Sequence, residues 1–551
     1  MVSDKQKLGV FKCIAILAPF VLLLITELLL RWFGYGHPTS LFVKDPDDAT
    51  SWVMNPNASA RYFSDSANAT KGNIEPFPIE KAHNTFRVFV LGESTTAGYP
   101  YMHNGSFHRW LQYRLMRELP EKNVEIINVA LTAVNSYTVL DFGKEVLRYQ
   151  PDAVLVYVGH NEYYGALGVG STSRIANNYY LVEAVLKLRQ LRLVQWLTAV
   201  MRKLTSYFSG DKNRIDQRDN LMKRVAANQE IAYGSEDYTR GIRQFERNMD
   251  ELCQAFAAAH IPVFLSTIVS NEKDQRPFIG LTADTAFRQA DSAFSAGDYT
   301  TAKRRYVLAK ELDLLRFRAP EAINDAIRAL TKKYTDVHLV DTYALFEQQE
   351  PKGILGNETL LEHVHPNLYG YALLSEAFYQ SMKQQGIVRP DSGRELSFAT
   401  LLAEMPVTRV DSLYGAWRIM MLKTGWPFNQ PIPPGYKRGN SVEEEIAGAL
   451  SVDRITWMTA MDQLFKYYMR MNDKRAALKA TEAVLLEHPR NVLYYIYSGR
   501  LNFDLGRYDE ALFYFKKAWT LDPTPAHAEN IYLFYLKTNQ PEKAREWIPV
   551  R

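Results

Sequence analysis

The chain has 551 residues, of which 65 are Lys or Arg and 61 are Asp or Glu, so its net charge is only +4. That length exceeds one hydrophobic core and implies two or three domains, and the near balance of charge argues against a dedicated nucleic-acid binder. With only two cysteines, Cys13 and Cys253, neither a disulfide framework nor a zinc ribbon can be built, and a metal site would need His and carboxylates.

Lys5, Lys7 and Lys12 precede an apolar run, Cys13 to Leu30, interrupted only by Thr26 and Glu27. As a helix it would reach roughly 27 Å, close to the hydrocarbon thickness of a bilayer. The competing readings are a cleaved signal peptide, for which Leu29-Leu30-Arg31-Trp32-Phe33 offers no small-residue cleavage site, and a buried soluble helix. Cys13 lacks the small residues that precede a lipoprotein cysteine. We read residues 1–37 as a cytoplasmic tail and signal anchor; the lysines then place the remainder outside the cytoplasm, in the periplasm if the source is bacterial. Glu27 fits poorly in such a span unless it snorkels or is protonated. Residues 38–84, rich in Asn, Asp, Ser and Pro, read as an extended lead-in.

Val88 to Leu91 form an apolar strand that runs into the small, polar turn Gly92-Glu93-Ser94-Thr95-Thr96-Ala97-Gly98. A phosphate loop would need a Lys and a glycine spacing that are missing here. The α/β-hydrolase elbow would need glycine where Thr96 stands. A helix at Phe107 to Leu119, strands at Val124 to Val129 and Ala153 to Val158, and a helix at Val139 to Arg148 follow. Met249 to Ala259, Ile261 to Ile268, Val337 to Val340 and Gly370 to Gln384 repeat the alternation, predicting an α/β fold with a doubly wound parallel sheet over 85–390.

Two helical insertions interrupt it. Residues 181–204 are amphipathic and basic; they read as a helix covering the sheet, with a lid or interfacial helix, suggested by Trp196, as the sharper alternative. Residues 286–313 pair small and aromatic residues about Gly297-Asp298-Tyr299 as a helix hairpin, and the same grammar returns at Gly506-Arg507-Tyr508. Pro489 and Pro523, like Ala477 and Ala511, lie 34 residues apart, the tetratricopeptide period. Residues 455–551 are therefore expected to form an all-α repeat domain with a core of its own, after a connecting region at 391–454.

Three further blocks fall at strand C-terminal ends, where open α/β sheets carry their chemistry: Asn128 to Ser136, Gly159-His160-Asn161-Glu162, and Glu362-His363-Val364-His365-Pro366-Asn367. With the Ser94 turn these four blocks, in order over about Arg87 to Gln384, resemble an SGNH-type (GDSL) serine hydrolase with a tetratricopeptide tail. The resemblance implies that Ser94 is the nucleophile and an oxyanion-hole donor through its N–H, that Asn161 supplies a side-chain donor, and that His365 is the general base oriented by Glu362. A serine needs such a base, and a tetrahedral oxyanion needs preorganised donors. Ala133 stands where the family places a glycine donor; it keeps the N–H but tolerates a positive φ poorly. Glu362 and Glu93 each replace an aspartate of the family pattern, Glu93 at a position that supports the loop. A metal reading of Glu362, His363, His365 and His160 competes, but it leaves Ser94 and Asn161 unexplained.

The resemblance thus implies an esterase or acyl hydrolase that needs no cofactor. Its substrate would be an acyl ester or an acylated glycan, and the repeat surface would take a protein partner. Acyl transfer to an envelope glycan and a non-catalytic envelope scaffold are the alternatives.

Overall fold

The computed structural model describes residues 4–63, 68–171, 179–209, 221–226, 230–391, 393–436 and 439–549. Helix α1 (Asp4–Trp32) contains Ile14–Trp32, which is long and apolar enough to cross a membrane, with a mean hydropathy of 2.2 and only 6% of the stretch buried.

The expected extended lead-in is instead part of the folded domain. Strands β1 (Phe42–Lys44), β2 (Ser51–Met54) and β3 (Phe77–Pro78) form a small antiparallel sheet in that order. Leu41, Phe42 and Phe77 are buried in the principal core, and the Phe42 and Phe77 rings meet edge-on at 4.9 Å. These apolar residues come in runs too short to show a period between Asn, Asp and Pro, so composition alone reads as a linker.

The principal sheet has strands β4 (Thr85–Gly92), β5 (Asn123–Asn128), β6 (Ala153–Tyr157), β7 (Val263–Ser266) and β8 (Val337–Val340). All neighbours pair in parallel, in the order β5-β4-β6-β7-β8. The direction of winding reverses beside β4, so the crevice beyond the C-terminal ends of β4 and β6 is a topological switch point. Between β4 and β5 lie α2 (Ser94–Ala97) and α3 (Phe107–Glu118), and α4 (Ser136–Val146) leads to β6. Helices α5 (Tyr179–Leu188), α6 (Arg192–Ser209), α7 (Leu221–Val225) and α8 (Glu236–Ala258) precede β7. Then come α9 (Leu281–Ser295), α10 (Tyr299–Leu312) and α11 (Glu321–Lys333) before β8, and α12 (Thr342–Gln349) and α13 (Leu368–Gln384) after it. Helix α8 packs on α4 and α11, while α13 packs on α3, so both faces of the sheet are covered.

The first insertion keeps its expected role only in part, with Val182 and Leu186 buried in the principal core. It breaks into α5 and α6, and α6 lies against α1 instead of covering the sheet. The second is the expected hairpin of α9 and α10: Gly297 turns at φ 80°, and Ala286, Ala290, Ala302 and Ala309 are buried where the helices meet.

The connecting region is helical, with α14 (Phe398–Glu404), α15 (Arg409–Thr424) and α16 (Val442–Ser451). Beyond it α17 (Trp457–Arg470), α18 (Lys474–Glu487), α19 (Val492–Asp504), α20 (Tyr508–Leu521), α21 (Pro525–Lys537) and α22 (Pro541–Arg545) stack in sequence, an arrangement compatible with tetratricopeptide repeats. Ala477, Ala483, Ala511 and Ala518 are fully buried in this stack, and a Cβ on Gly499 would lie 2.5 Å from the Phe515 ring. Most of its core is a cluster of its own, which also takes in Val410, Ile446 and Leu450 of the connecting region. Leu486, however, belongs to the principal core, and α18 docks on α3 through buried charges.

Candidate functional site

Strand β4 is buried along its whole length and ends at Gly92, where a Cβ would lie 2.1 Å from Thr96 Oγ1 and 2.2 Å from Tyr157 O. Only glycine permits that approach of the turn to β6. Glu93 stays extended, Ser94 opens the single turn α2, and Gly98 closes it at φ 96°, its N–H reaching Ser94 O and Thr95 O. Thr96, the residue that excluded the α/β-hydrolase elbow, donates its hydroxyl to Tyr157 O at 2.6 Å, and Asn128 Nδ2 donates to Thr96 O at 2.7 Å. Tyr371 donates to Thr95 O and Tyr99 O at 3.1 and 2.6 Å. The turn bearing Ser94 is thereby tied to β5, β6 and α13.

His365 lies across the crevice with Nε2 2.8 Å from Ser94 Oγ. Its Nδ1 contacts Glu362 Oε1 directly, and the same oxygen accepts the His365 N–H at 3.0 Å. The extra methylene of Glu362 is therefore absorbed by folding the side chain back over its own loop. The other carboxylate oxygen, Oε2, contacts His363 Nδ1, so Glu362 is held between two imidazoles. Both His363 and His365 are buried, and burial holds both imidazoles below the ordinary histidine range, His365 at about 3. For His363 the neighbouring imidazoles of His365 and His160 and the charges of Arg318 and Lys423 act in the same direction.

The third-strand loop is organised by Glu93, which accepts the N–H groups of His160 and Asn161 at 3.0 and 3.2 Å. Burial, followed by the nearby Glu162 carboxylate, raises Glu93 to about 8. Glu162 in turn accepts Ser136 Oγ at 2.8 Å, joining this loop to the one after β5. In that loop Ala133 adopts φ 57°, the left-handed conformation an alanine resists. Thr70 Oγ1 bonded to Thr132 O at 2.8 Å, and Ala166 N–H bonded to Ala133 O at 2.9 Å, hold it there.

Ser94, Ala133, Asn161, His363 and His365 line one cavity of about 500 Å³. Thr132 and Val364 of the same blocks line it too, and much of its remaining wall comes from segments the sequence did not assign to the site. Phe317 follows α10, Leu221, Met222 and Val225 belong to α7, and Arg418 and Leu422 project from α15 in the connecting region. Tyr99 sits 4.8 Å from the His365 ring, under the Arg418 guanidinium. No local pattern marks these residues, because their proximity arises only when the chain closes on itself.

Glu362, His363 and His365 also bring donor atoms within 4.8 Å of one another, as the metal reading expects, but those atoms are engaged within the protein. Zinc needs ligand atoms about 2.0–2.1 Å from a common centre, whereas here each carboxylate oxygen touches an imidazole nitrogen and His365 Nε2 faces Ser94. His160, the fourth residue of that reading, accepts the Ala319 N–H at 3.4 Å and lies outside the cluster.

Residues 90–373, just over half of the chain, match the sequence profile of the GDSL-like lipase/acylhydrolase family. No curated protein matches. Solved structures with similarity include TesA, at 14% identity over 54% of this chain and 98% of that one, with a TM-score of 0.27. Others are LAE5, an alpha/beta hydrolase enzyme from the metagenome of Lake Arreo, Spain (14%, 55% and 97%, 0.28), and the lipase/acylhydrolase from Enterococcus faecalis (12%, 56% and 100%, 0.29). Given that profile match, the chain belongs to the GDSL-like lipase/acylhydrolase family and is an SGNH-type ester hydrolase.

Proposed function

We propose that the protein is a membrane-anchored, extracytoplasmic serine esterase that cleaves an acyl ester through an acyl-enzyme on Ser94. The observation that carries this reading is the line Ser94 Oγ, His365 Nε2, His365 Nδ1, Glu362 Oε1. His365 takes the hydroxyl proton as Ser94 Oγ attacks the ester carbonyl, and Glu362 fixes the tautomer with its proton on Nδ1 and stabilises the imidazolium that forms. The carbonyl oxygen, now negative, is received by the N–H groups of Ser94 and Ala133 and by Asn161 Nδ2. His365 then protonates the departing alcohol, and a water activated by the same imidazole releases the acid. His363 positions Glu362 by holding its second oxygen.

O-acyl transfer is the same chemistry with a sugar hydroxyl in place of that water, and a cavity of about 500 Å³ leaves room for an acceptor beside the acyl group. We assign α1 as a single-pass anchor oriented by Lys5, Lys7 and Lys12, and the helices from residue 455 as a surface for a protein partner. A fluorophosphonate should label the wild type and not Ser94→Ala; equal labelling of both removes Ser94 as the nucleophile. Release of acid from short-chain and long-chain acyl esters, with and without a glycan acceptor, separates hydrolysis from transfer.

A further inference from the structure

Glu27 interrupts the apolar run of α1, yet it is buried while Leu28 and Leu29 beside it are exposed. Its carboxylate accepts the backbone N–H groups of Arg192 and Leu193 at 3.1 and 2.8 Å, and Nε of Arg31 at 2.7 Å. Arg192 and Leu193 are the first residues of α6, so Glu27 occupies the place of an N-terminal cap and satisfies donors that a helix leaves unpaired. Three residues on, Gln195 closes a second joint: its Oε1 accepts the His37 N–H at 3.1 Å and its Nε2 donates to His37 O at 3.2 Å. Gly36 between them has φ +73°, and a Cβ there would lie 2.3 Å from Gln195 Oε1. Helix α6 is thus fastened to the exit end of α1 by contacts built for that purpose.

The two sides of α6 differ. Val194, Thr198 and Arg202, one turn apart, wall a cavity of about 320 Å³ together with His37, Arg61 and Arg189. Arg61 pairs with Asp141 at 3.1 Å, but Arg189 donates only to the carbonyls of Arg61 and Phe63 and faces no carboxylate among the described residues. On the other side Leu197, Met201 and Leu204, at helical spacing, are 44%, 65% and 52% exposed. Among the described residues nothing covers this row, and the apolar side chains of α1, the helix to which α6 is fastened, are exposed as well.

We infer that α6 is an interfacial helix that lies in the bilayer beside the anchor, with Leu197, Met201 and Leu204 among the acyl chains and a lipid phosphate held at Arg189. The occupant is a lipid because α6 starts where Glu27 holds Arg192 and Leu193 near the end of the apolar span, and because an amphipathic helix with basic residues on its polar side partitions to that depth. This inference rests on the proposed anchor, so the test reads the two separately.

The full chain, with Cys13→Ser, is placed in nanodiscs carrying brominated acyl chains. A fluorophore is attached at Leu204→Cys, or at Met201→Cys as a second variant, and at Leu22→Cys as the reference in the span; Cys253 is buried and does not compete. Quenching at all three positions is expected. Quenching at residue 22 without residues 201 and 204 overturns the interfacial helix and leaves the anchor, whereas no quenching at residue 22 overturns the anchor itself. Fluorescent phosphatidylglycerol should be retained by the detergent-solubilised full chain and lost several-fold in Arg189→Gln. Equal retention by both, or displacement by millimolar inorganic phosphate, overturns the lipid site.

Discussion

On the proposed mechanism Ser94 and His365 share one proton path, so removing either would disable the same step. Ser94→Ala and His365→Ala should each lower kcat by roughly 10³ to 10⁶, with the double variant little worse. Asn161→Ala should lower it by about 10² to 10³, because one oxyanion donor is lost. Losses that multiply in the double variant would show that the two residues do not act together. The acid limb of kcat/KM reports the base in the free enzyme. Burial lowers His365 to about 3, so the neutral base persists as pH falls and the limb should lie well below 6.5. A midpoint near 6.5 would mean that the Glu362 charge offsets the desolvation. Ala133→Gly keeps the N–H and removes a left-handed strain of about 1–2 kcal/mol, against a glycine entropy cost of about 0.5–1 kcal/mol. Activity should be retained and Tm should not fall; a large loss of activity in a folded variant would sink the assignment of Ala133 as a backbone donor only.

At the scale of elements, α3 carries the joint between the sheet and the C-terminal helices. Arg109 Nη2 lies 3.0 Å from Glu75 Oε1 and 2.7 Å from Glu487 Oε2, and Nη1 donates to Leu486 O at 2.7 Å. Glu75 also accepts the Asn128 N–H at 2.6 Å, and Asn128 holds Thr96 in the Ser94 turn, so a buried polar chain runs from α18 to that turn. Arg109 and then His103 hold the Glu487 carboxyl well below the usual range against its burial. A carboxylate lowered in the folded state contributes stability above its unfolded value, about 4.3, and that contribution fades as pH falls. Glu487→Gln leaves Arg109 with one buried partner fewer and should cost about 3–5 kcal/mol at neutral pH. The wild-type advantage in denaturant midpoint should shrink as pH drops below that value; an unchanged midpoint at neutral pH would refute the joint.

At the scale of the molecule, residues 455–551 have a core mostly of their own but are joined to the sheet domain where α18 meets α3. Deletion from Ile455 uncovers Arg109 and removes Leu486 from the principal core. It should therefore lower Tm sharply and reduce turnover of a small soluble ester. A truncated protein with wild-type Tm and turnover would restore the separate domain. Helix α15 makes the same point within the connecting region, since Arg418 and Leu422 wall the cavity of Ser94.

What was readable in the sequence is what repeats or runs locally. The strands of the parallel sheet, the four loops at their ends and the 34-residue period were legible because each depends on neighbours within one strand, turn or helix pair. The lead-in was misread because Leu41, Phe42 and Phe77 acquire meaning only against Phe89 and Tyr149 across the core. Phe317 and Arg418 were invisible for a related reason: nothing in their own segments marks them as cavity walls. Glu27 looked like a flaw in a membrane span until Arg192, 165 residues away, supplied the N–H it accepts. Glu487 likewise has no local partner, since Arg109 lies 378 residues before it. The sequence by itself determined the fold class and the chemical groups at the strand ends. Only the tertiary structure decided what walls the cavity and how the N-terminal helix, the sheet and the C-terminal helices join, because polar partners so far apart leave no period for a sequence to show.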